Sequence, residues 1–599
     1  MSGKSKLKAS INWLAAVAPM LKRHIPLLIG IIVLAVVYIP SMLGISVLMG
    51  RALDLALGQI YVQGSPELDQ AVHTFWVFVG IMGGLTVLSG ICQFFFEYLS
   101  SVLTQIIVKD IRDTVFSKMT HLPLSYVDSR PHGDILSLAT VDTENVMSGL
   151  TAIFKSLIEG VFTLIFTLGF MYSINWLLAT AVLFLTPMSF LVARFVSSRT
   201  KRYFKSQAKV AGELAGITLE RIRNYRTVRA LCIQSKSQDT FEECDSRLYE
   251  QGQKAQFFSS WTNPTTRLVN NIVYACIGVV GVVILCFQSS LSPIGAALTV
   301  GGLSSFLSFA LKFAKPFNDI SSVATEFQNA QASFTRISDL LSVPDETQDT
   351  QGLREAPKEL KTIEFKNIEF GYEPDQTVLK DLNLEVYAGH RVAIVGPTGC
   401  GKTTLINLLL RFYDPRSGTI LLGGENSQEM TRSSVRRLFG MVLQDTWIFT
   451  GTVRENIAYA KPDATDEEVQ EAARRAQATS FIERLPKKYD TVISSTYGLS
   501  EGEKQLISIA RVLLMNPGMI ILDEATSSLD AVSEKNITAA IAELSADRTT
   551  IVIAHRLQTI VDSDAIAVID GGRVVEIGNH QELMEKKGFY YKLYTSQYQ

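Results

Sequence analysis

At 599 residues the chain is longer than one hydrophobic core serves, so two or more domains are expected. Hydrophobic residues make up 47% and mean hydropathy is +0.20, yet 19% of residues are charged, a mixture that points to one membrane half and one soluble half. A net charge of −2 leaves no basic field for nucleic acid, and six cysteines without a CxxC pair argue against a disulfide frame or a zinc site.

The first stretch, "INWLAAVAPMLKRHI" (residues 11–25), spaces Ile11, Leu14, Val17 and Leu21 on one helical face beside Trp13. Residues 1–24 are therefore read as an interfacial elbow helix and not as a cleaved signal. Crossing a bilayer takes about 20 apolar residues per helix, and uncharged runs of that length are confined to the first 315 residues. They are Ile25 to Gly50, Thr74 to Phe96, Gly160 to Ala193 with a turn at Ser173–Asn175, and Leu268 to Leu311 with a break at "FQSSLSP" (287–293). The count is six spans, in a transmembrane domain of residues 25–325. Lys and Arg cluster before span one, after span two (Lys109, Arg112, Lys118) and after span four (Arg194, Arg199, Lys201, Arg202), which puts both termini in the cytoplasm.

Two cytoplasmic segments are too long for turns. One contains "HLPLSYVDSRPHGD" (His121 to Asp134), the other "ERIRNYRTVRALCIQ" (Glu220 to Gln234). Spans two to five should extend into the cytoplasm as helices, each pair capped by a short crossing piece suited to act as a lever. Lys155 and Glu159, spaced i, i+4, read as a self-neutralising pair, with Glu97 at the same level and Lys312 and Lys315 snorkelling to the inner headgroups. Asn270 and Asn271 are either interhelical glue or cavity lining.

Residues 326–360, rich in charge towards their end, are read as a linker, and residues 361–599 as an alternating strand–helix domain. "RVAIVGPTGCGKTTLINLLL" (Arg391 to Leu410) runs strand, Gly-rich loop, helix. Gly396, Gly401, Lys402 and Thr403 fill G-x-x-x-x-G-K-[ST], the pattern in which backbone N–H groups wrap phosphate, the lysine neutralises its oxygens and the hydroxyl holds Mg²⁺. Pro397, Thr398, Gly399, Cys400 and Thr404 complete that loop, and alkylation of Cys400 is expected to block nucleotide. "MIILDEATSSLD" (Met519 to Asp530) ends an apolar strand in Asp523, placed for the metal, and Glu524, placed to polarise water. "TIVIAHR" (Thr550 to Arg556) ends another strand near His555, within reach of a γ-phosphate.

Taken in order, these motifs resemble ABC exporter half-transporters: a six-helix transmembrane domain with long intracellular extensions, fused to an α/β P-loop ATPase domain. The resemblance implies ATP and Mg²⁺ as cofactors, Tyr372 as the adenine-stacking aromatic, Gln444 as the glutamine that senses Mg²⁺, Asp530 at the end of the D-loop and His555 as the switch histidine. It also implies that "LPLSYVDSRPHGDILS" docks on a nucleotide-binding domain and that two such domains pair head to tail.

"GLSEGEKQL" (Gly498 to Leu506) then resembles the signature LSGGQ, which covers the ATP of the other chain through Ser500 and Gly502. Here Glu501 replaces a glycine and Glu503 a glutamine, bringing negative charge near a γ-phosphate. The preceding "DTVISSTYGLS" (Asp490 to Ser500) is about one residue short and lacks the usual GERG-like sequence. An intact catalytic set (Lys402, Gln444, Asp523, Glu524, His555) beside a degraded signature resembles one half of an asymmetric heterodimeric exporter. The partner would carry a consensus LSGGQ and a defective catalytic acid. A homodimer is the alternative, with an ATP-gated channel or regulatory subunit further behind. Few charges in the spans favour hydrophobic or amphipathic cargo such as a drug, lipid or peptide, exported across a bacterial cytoplasmic membrane.

Overall fold

The computed structural model describes residues 13, 17–59, 67–286, 298–346, 353–357, 360–443, 446–494, 498–523, 531–554 and 560–596. The "FQSSLSP" break, Gln444, Glu524, Asp530 and His555 lie outside them. The chain divides into two compact units, one formed by residues 1–120 and 132–343, the other by 121–131 and 344–599.

The first unit is helical. Among the described residues six long helical runs follow one another: Ile25–Gln59, Glu67–Thr120, a run ending in Ile158–Ile174, Trp176–Arg223, the pair Gln234–Ser260 and Thr262–Cys286, and Val300–Ser342. Among the described residues four stretches, Ile25–Gly58, Gln70–Thr120, His132–Ile174 and Arg267–Cys286, are long and apolar enough to cross a bilayer by length and composition. The turn at Ser173–Asn175 is a helix break made by one side chain. Asn175 Oδ1 accepts from Leu177 N and Leu178 N at 3.1 Å each, capping the fourth helix. The second helix has 54 residues. At about 1.5 Å per residue it is about 80 Å long, far beyond a hydrocarbon core of about 30 Å, as the extended-helix reading requires. The crossing pieces are the five-residue helix Leu124–Asp128 and the six-residue helix Tyr225–Ala230. The sixth helix carries on through residues 326–342, the first half of the stretch read as linker.

Three expectations for this unit change. Trp13, expected at the interface, is buried against Phe327 (ring centroids 5.3 Å apart) and Phe334 (6.1 Å). Lys155 and Glu159 do not pair. Ala152–Leu157 is a π-helix, whose wider turn rotates Lys155 out of line with Glu159. Lys155 lies 4.0 Å from Glu97 on the second helix, and Lys315 on the sixth lies 3.8 Å from Glu159. Lys312 does not reach for headgroups either; its ammonium donates to Ser46 Oγ (3.1 Å) and Met42 O (3.3 Å) on the first helix. It lies twelve residues from the start of its helix, Val300–Ser342.

The second unit contains two large sheets. The strands are β1 Thr362–Phe370, β2 Leu379–Tyr387, β3 Arg391–Val395, β4 Ser417–Leu422, β5 Glu425–Asn426, β6 Phe439–Val442, β7 Gly451–Thr452, β8 Val492–Ile493, β9 Met519–Asp523, β10 Thr549–Ile553, β11 Ala565–Asp570 and β12 Arg573–Gly578. One sheet is antiparallel in the order β2-β1-β4-β5. The other runs β12-β11-β3-β10-β9-β6 and is parallel except for β12. Buried on both faces, the parallel strands are apolar along most of their length, as in "VAIV" of β3 and "IVI" of β10. Val392 and Ile394 point into the core shared with the antiparallel sheet and the helix Lys402–Leu409. Ala393 and Val395 point into a second core containing Leu506, Ile507 and Ala510.

Candidate functional site: a phosphate loop, an aromatic platform and a separate capped helix

The phosphate loop leaves the buried end of β3. Its last residue, Gly401, takes a left-handed backbone (φ 104°) and is the N-cap of the helix Lys402–Leu409; a Cβ there would press on Leu379 Cδ2 at 2.5 Å. No side chain caps this helix, so its leading N–H groups are left for an anion at the positive end of the helix. Pro397, Thr398 and Gly399 are exposed, Thr403 also faces outward, and Thr404 is buried. The Lys402 side chain is only 6% exposed and folds into the loop, donating to Gly396 O (2.7 Å) and Pro397 O (3.1 Å). Uncapped donors, a cation and an outward hydroxyl within one turn of chain fit a polyphosphate that carries Mg²⁺.

Cys400 sits deeper than a reactive loop thiol would. It is 6% exposed, and its Sγ would lie 2.7 Å from a Cβ built on Gly396. Burial pushes the thiol above its usual range, with the Lys402 ammonium pulling back. Only the thiolate reacts, so a raised pKa lowers the reactive fraction near neutrality. At pH 7.5 N-ethylmaleimide is expected to modify exposed Cys232 faster than Cys400, with the Cys400 rate climbing as pH rises. Peptide mapping of a timed reaction at two pH values checks this, and equal rates would overturn it.

Beside the loop stands Tyr372, whose hydroxyl donates to Thr404 Oγ1 (3.2 Å) and accepts from Asn407 Nδ2 (3.2 Å), both on the phosphate-loop helix. Its ring meets Phe370 and Tyr413 edge-on, centroids 5.1 Å away in each case, and the residue stays 48% exposed. A fixed aromatic with an open flank beside a phosphate loop is a stacking platform for a base. Tyr413, in "RFYDP" just past the same helix, was not singled out in the sequence, although an aromatic that close to the loop was a visible signal. Its hydroxyl donates to Asp128 Oδ2 at 2.7 Å, and burial together with that carboxylate pushes its pKa up. His121 O accepts from Glu346 N at 2.8 Å. Of "LPLSYVDSRPHGDILS" (residues 122–137), expected to dock on a nucleotide-binding domain, residues 122–131 fall in the same compact unit as the phosphate loop and residues 132–137 in the helical unit.

The parallel register aligns the strand ends. Ile553 of β10 pairs with both Ile394 of β3 and Asp523 of β9, and Val442 of β6 pairs with Leu522. Asp523 and the start of the phosphate loop therefore lie on one carboxyl-terminal edge, where ligands gather in such sheets. Gln444, Glu524 and His555 follow β6, β9 and β10 in sequence by one or two residues.

Ser500 and Gly502 are elsewhere. They open the helix Glu501–Met515, which packs into the second core, on the face of the sheet opposite the helix Lys402–Leu409. Gly502 is buried in the first turn, and Ser500 caps it. Glu501 and Lys504 pair at 2.7 Å.

A phosphate loop and base platform on a parallel sheet, in a chain that also carries a helical membrane unit, define a membrane protein with a fused nucleotide-binding engine. The family comparisons agree. Residues 28–315 match the family model of the ABC transporter transmembrane region and residues 379–527 the model of the ABC transporter. A fatty acid ABC transporter ATP-binding/permease protein of Mycobacterium bovis is 39% identical over 484 residues, 81% of this chain and 75% of that one. An ATP-dependent lipid A-core flippase of Syntrophus aciditrophicus is 33% identical over 545 residues, 91% of this chain and 88% of that one. Among solved structures, a bacterial Atm1-family ABC exporter with ATP bound superposes with a TM-score of 0.77 at 27% identity, covering 96% of this chain and 98% of that one. The chain belongs to the ABC transporter family, as a half-transporter of the exporter type with membrane and ATPase domains in one polypeptide. It couples ATP hydrolysis to transport.

Proposed function

We infer that this chain is the catalytically competent half of an asymmetric heterodimeric exporter, which moves amphipathic compounds out across a bacterial cytoplasmic membrane by alternating access, with both termini and the ATPase domain inside. Tyr372 stacks on adenine, Gly396 to Thr404 cradle the phosphates, and Thr403, Asp523 and Gln444 serve the Mg²⁺. Glu524 polarises the attacking water, His555 steadies the γ-phosphate, and Asp530 contributes to the dimer contact. Ser500 and Gly502 face the ATP of the partner, a second half-transporter with a consensus LSGGQ and a degenerate catalytic acid.

The single observation that carries the reading is the separation of the two motifs. The phosphate loop and the signature helix lie on opposite faces of one sheet, so one chain's signature completes a site only across a dimer. Glutamates 501 and 503 then weaken one of the two sites while the other keeps its full set. The cargo class is supported by the relatives, one described for fatty acid and one for lipid A-core, and by Lys312. A cation on a helix of the membrane unit, bonded to neutral oxygens in the contacts above, favours an amphiphile with an acidic head over a purely apolar cargo.

The test is purification of the chain alone and with a candidate partner half-transporter into proteoliposomes, followed by ATPase assay with long-chain acids. The pair is expected to show brisk, acid-stimulated turnover and the chain alone little. A monodisperse homodimer with brisk stimulated turnover would sink the heterodimer in favour of the symmetric alternative.

A further inference from the structure

The first turn of the signature helix is closed on itself. Ser500 is the N-cap, and Glu503, three residues on, folds its carboxylate back over it in a reciprocal capping box. One oxygen, Glu503 Oε2, accepts from both the Ser500 N–H (2.9 Å) and the Ser500 hydroxyl (3.0 Å). The Glu503 N–H donates back to Ser500 Oγ at 3.3 Å. The other carboxylate oxygen lies 3.9 Å from the Arg484 guanidinium.

The consequence follows from the chemistry of a hydroxyl, which has one proton to donate. That proton is committed to an anion, and hydrogen bonds to ionised acceptors are roughly twice as strong as neutral ones. A glutamine at 503 would keep the box, because S-x-x-E and S-x-x-Q close it equally well. Its neutral oxygen would hold Ser500 less firmly. The sequence led to the expectation that both glutamates project charge at a phosphate. Here Glu501 is drawn to Lys504, and Glu503 acts on the serine itself.

We propose that Glu503 is a positioning residue for the ATP site that this helix covers: its carboxylate occupies Ser500 as an internal competitor of the γ-phosphate. Ser500 donates to nucleotide only after that bond is broken, so the site closes reluctantly. This rests on the reading that the signature faces the partner's ATP.

The experiment uses the full chain co-purified with its partner half-transporter and a photo-crosslinkable ATP. Label on the partner chain reports the site covered by this signature, because that site's phosphate loop is the partner's. Glu503→Gln is expected to lower the ATP concentration for half-maximal labelling of the partner about fivefold, the loss of one charge-assisted bond, with the melting temperature unchanged. Ser500→Asn keeps an N-cap residue but moves the donor, and should reverse the gain in the E503Q background. Equal labelling in E503Q and the parent, while S500N still weakens it, would overturn the role of Glu503 and leave a plain helix cap. S500N without effect in either background would instead overturn the underlying reading that this helix covers an ATP.

Discussion

Lys402→Met is expected to abolish ATP turnover and leave the domain folded. The side chain is nearly buried, and its ammonium is bonded to two carbonyls of its own loop, Gly396 O and Pro397 O. Methionine preserves most of the volume and removes a buried charge whose partners are neutral, so the loss of two hydrogen bonds is offset by relief of desolvation. A change in stability within about 1 kcal/mol follows. Catalysis has no such compensation. Charge builds on the transferring phosphoryl group, and a fixed cation aimed at it contributes about 3–4 kcal/mol, or a factor of about 10²–10³ in rate. Steady-state phosphate release, read beside a thermal melt, checks both halves. A variant that keeps a tenth or more of the parent's turnover would show that the lysine's bonds to its loop are structural and that another cation serves the phosphates.

How much of this was legible depends on how local the signal was. The phosphate loop was legible because its chemistry is sequential: Gly396 to Thr403 need no distant residue to make a turn and an uncapped helix start. The turn at Ser173–Asn175 and the apolar strands were legible for the same reason. Spacing failed where the helix was not a regular one. Lys155 and Glu159 are four apart in sequence, but the π-helix between Ala152 and Leu157 breaks the register on which an i, i+4 argument depends. Composition failed at the sixth helix, since it changes where a helix leaves apolar surroundings, not where the helix ends, and the helix runs on to Ser342. Lys312 and Tyr413 were out of reach as contacts, because their partners Ser46 and Asp128 are 266 and 285 residues away. The Ser500–Glu503 box was the opposite case. Its S-x-x-E spacing ahead of an apolar run is a purely local signal.

Glu524→Gln, expressed with and without a partner half-transporter, is expected to separate the two assemblies. The glutamate follows Asp523 directly at the carboxyl-terminal end of β9, and the register that aligns Asp523 with Ile553 brings that strand end to the edge where the phosphate loop begins. Removing its charge while keeping its shape takes away the group we propose polarises water and leaves nucleotide binding intact, so hydrolysis should fall by about 10²–10³ while ATP stays bound. A catalytic site that binds without hydrolysing holds the two ATPase domains closed, and transport stops with it. In a heterodimer the trapped nucleotide crosslinks to this chain only when the partner supplies the signature across from Lys402. The helix Glu501–Met515 cannot do so for its own chain, because it sits on the opposite face of the sheet. In a homodimer the chain alone would trap two nucleotides per dimer, both beneath helices capped by Glu503. That result would show that a signature whose serine is held by its own carboxylate still closes on ATP, and would move the cause of any asymmetry away from this helix.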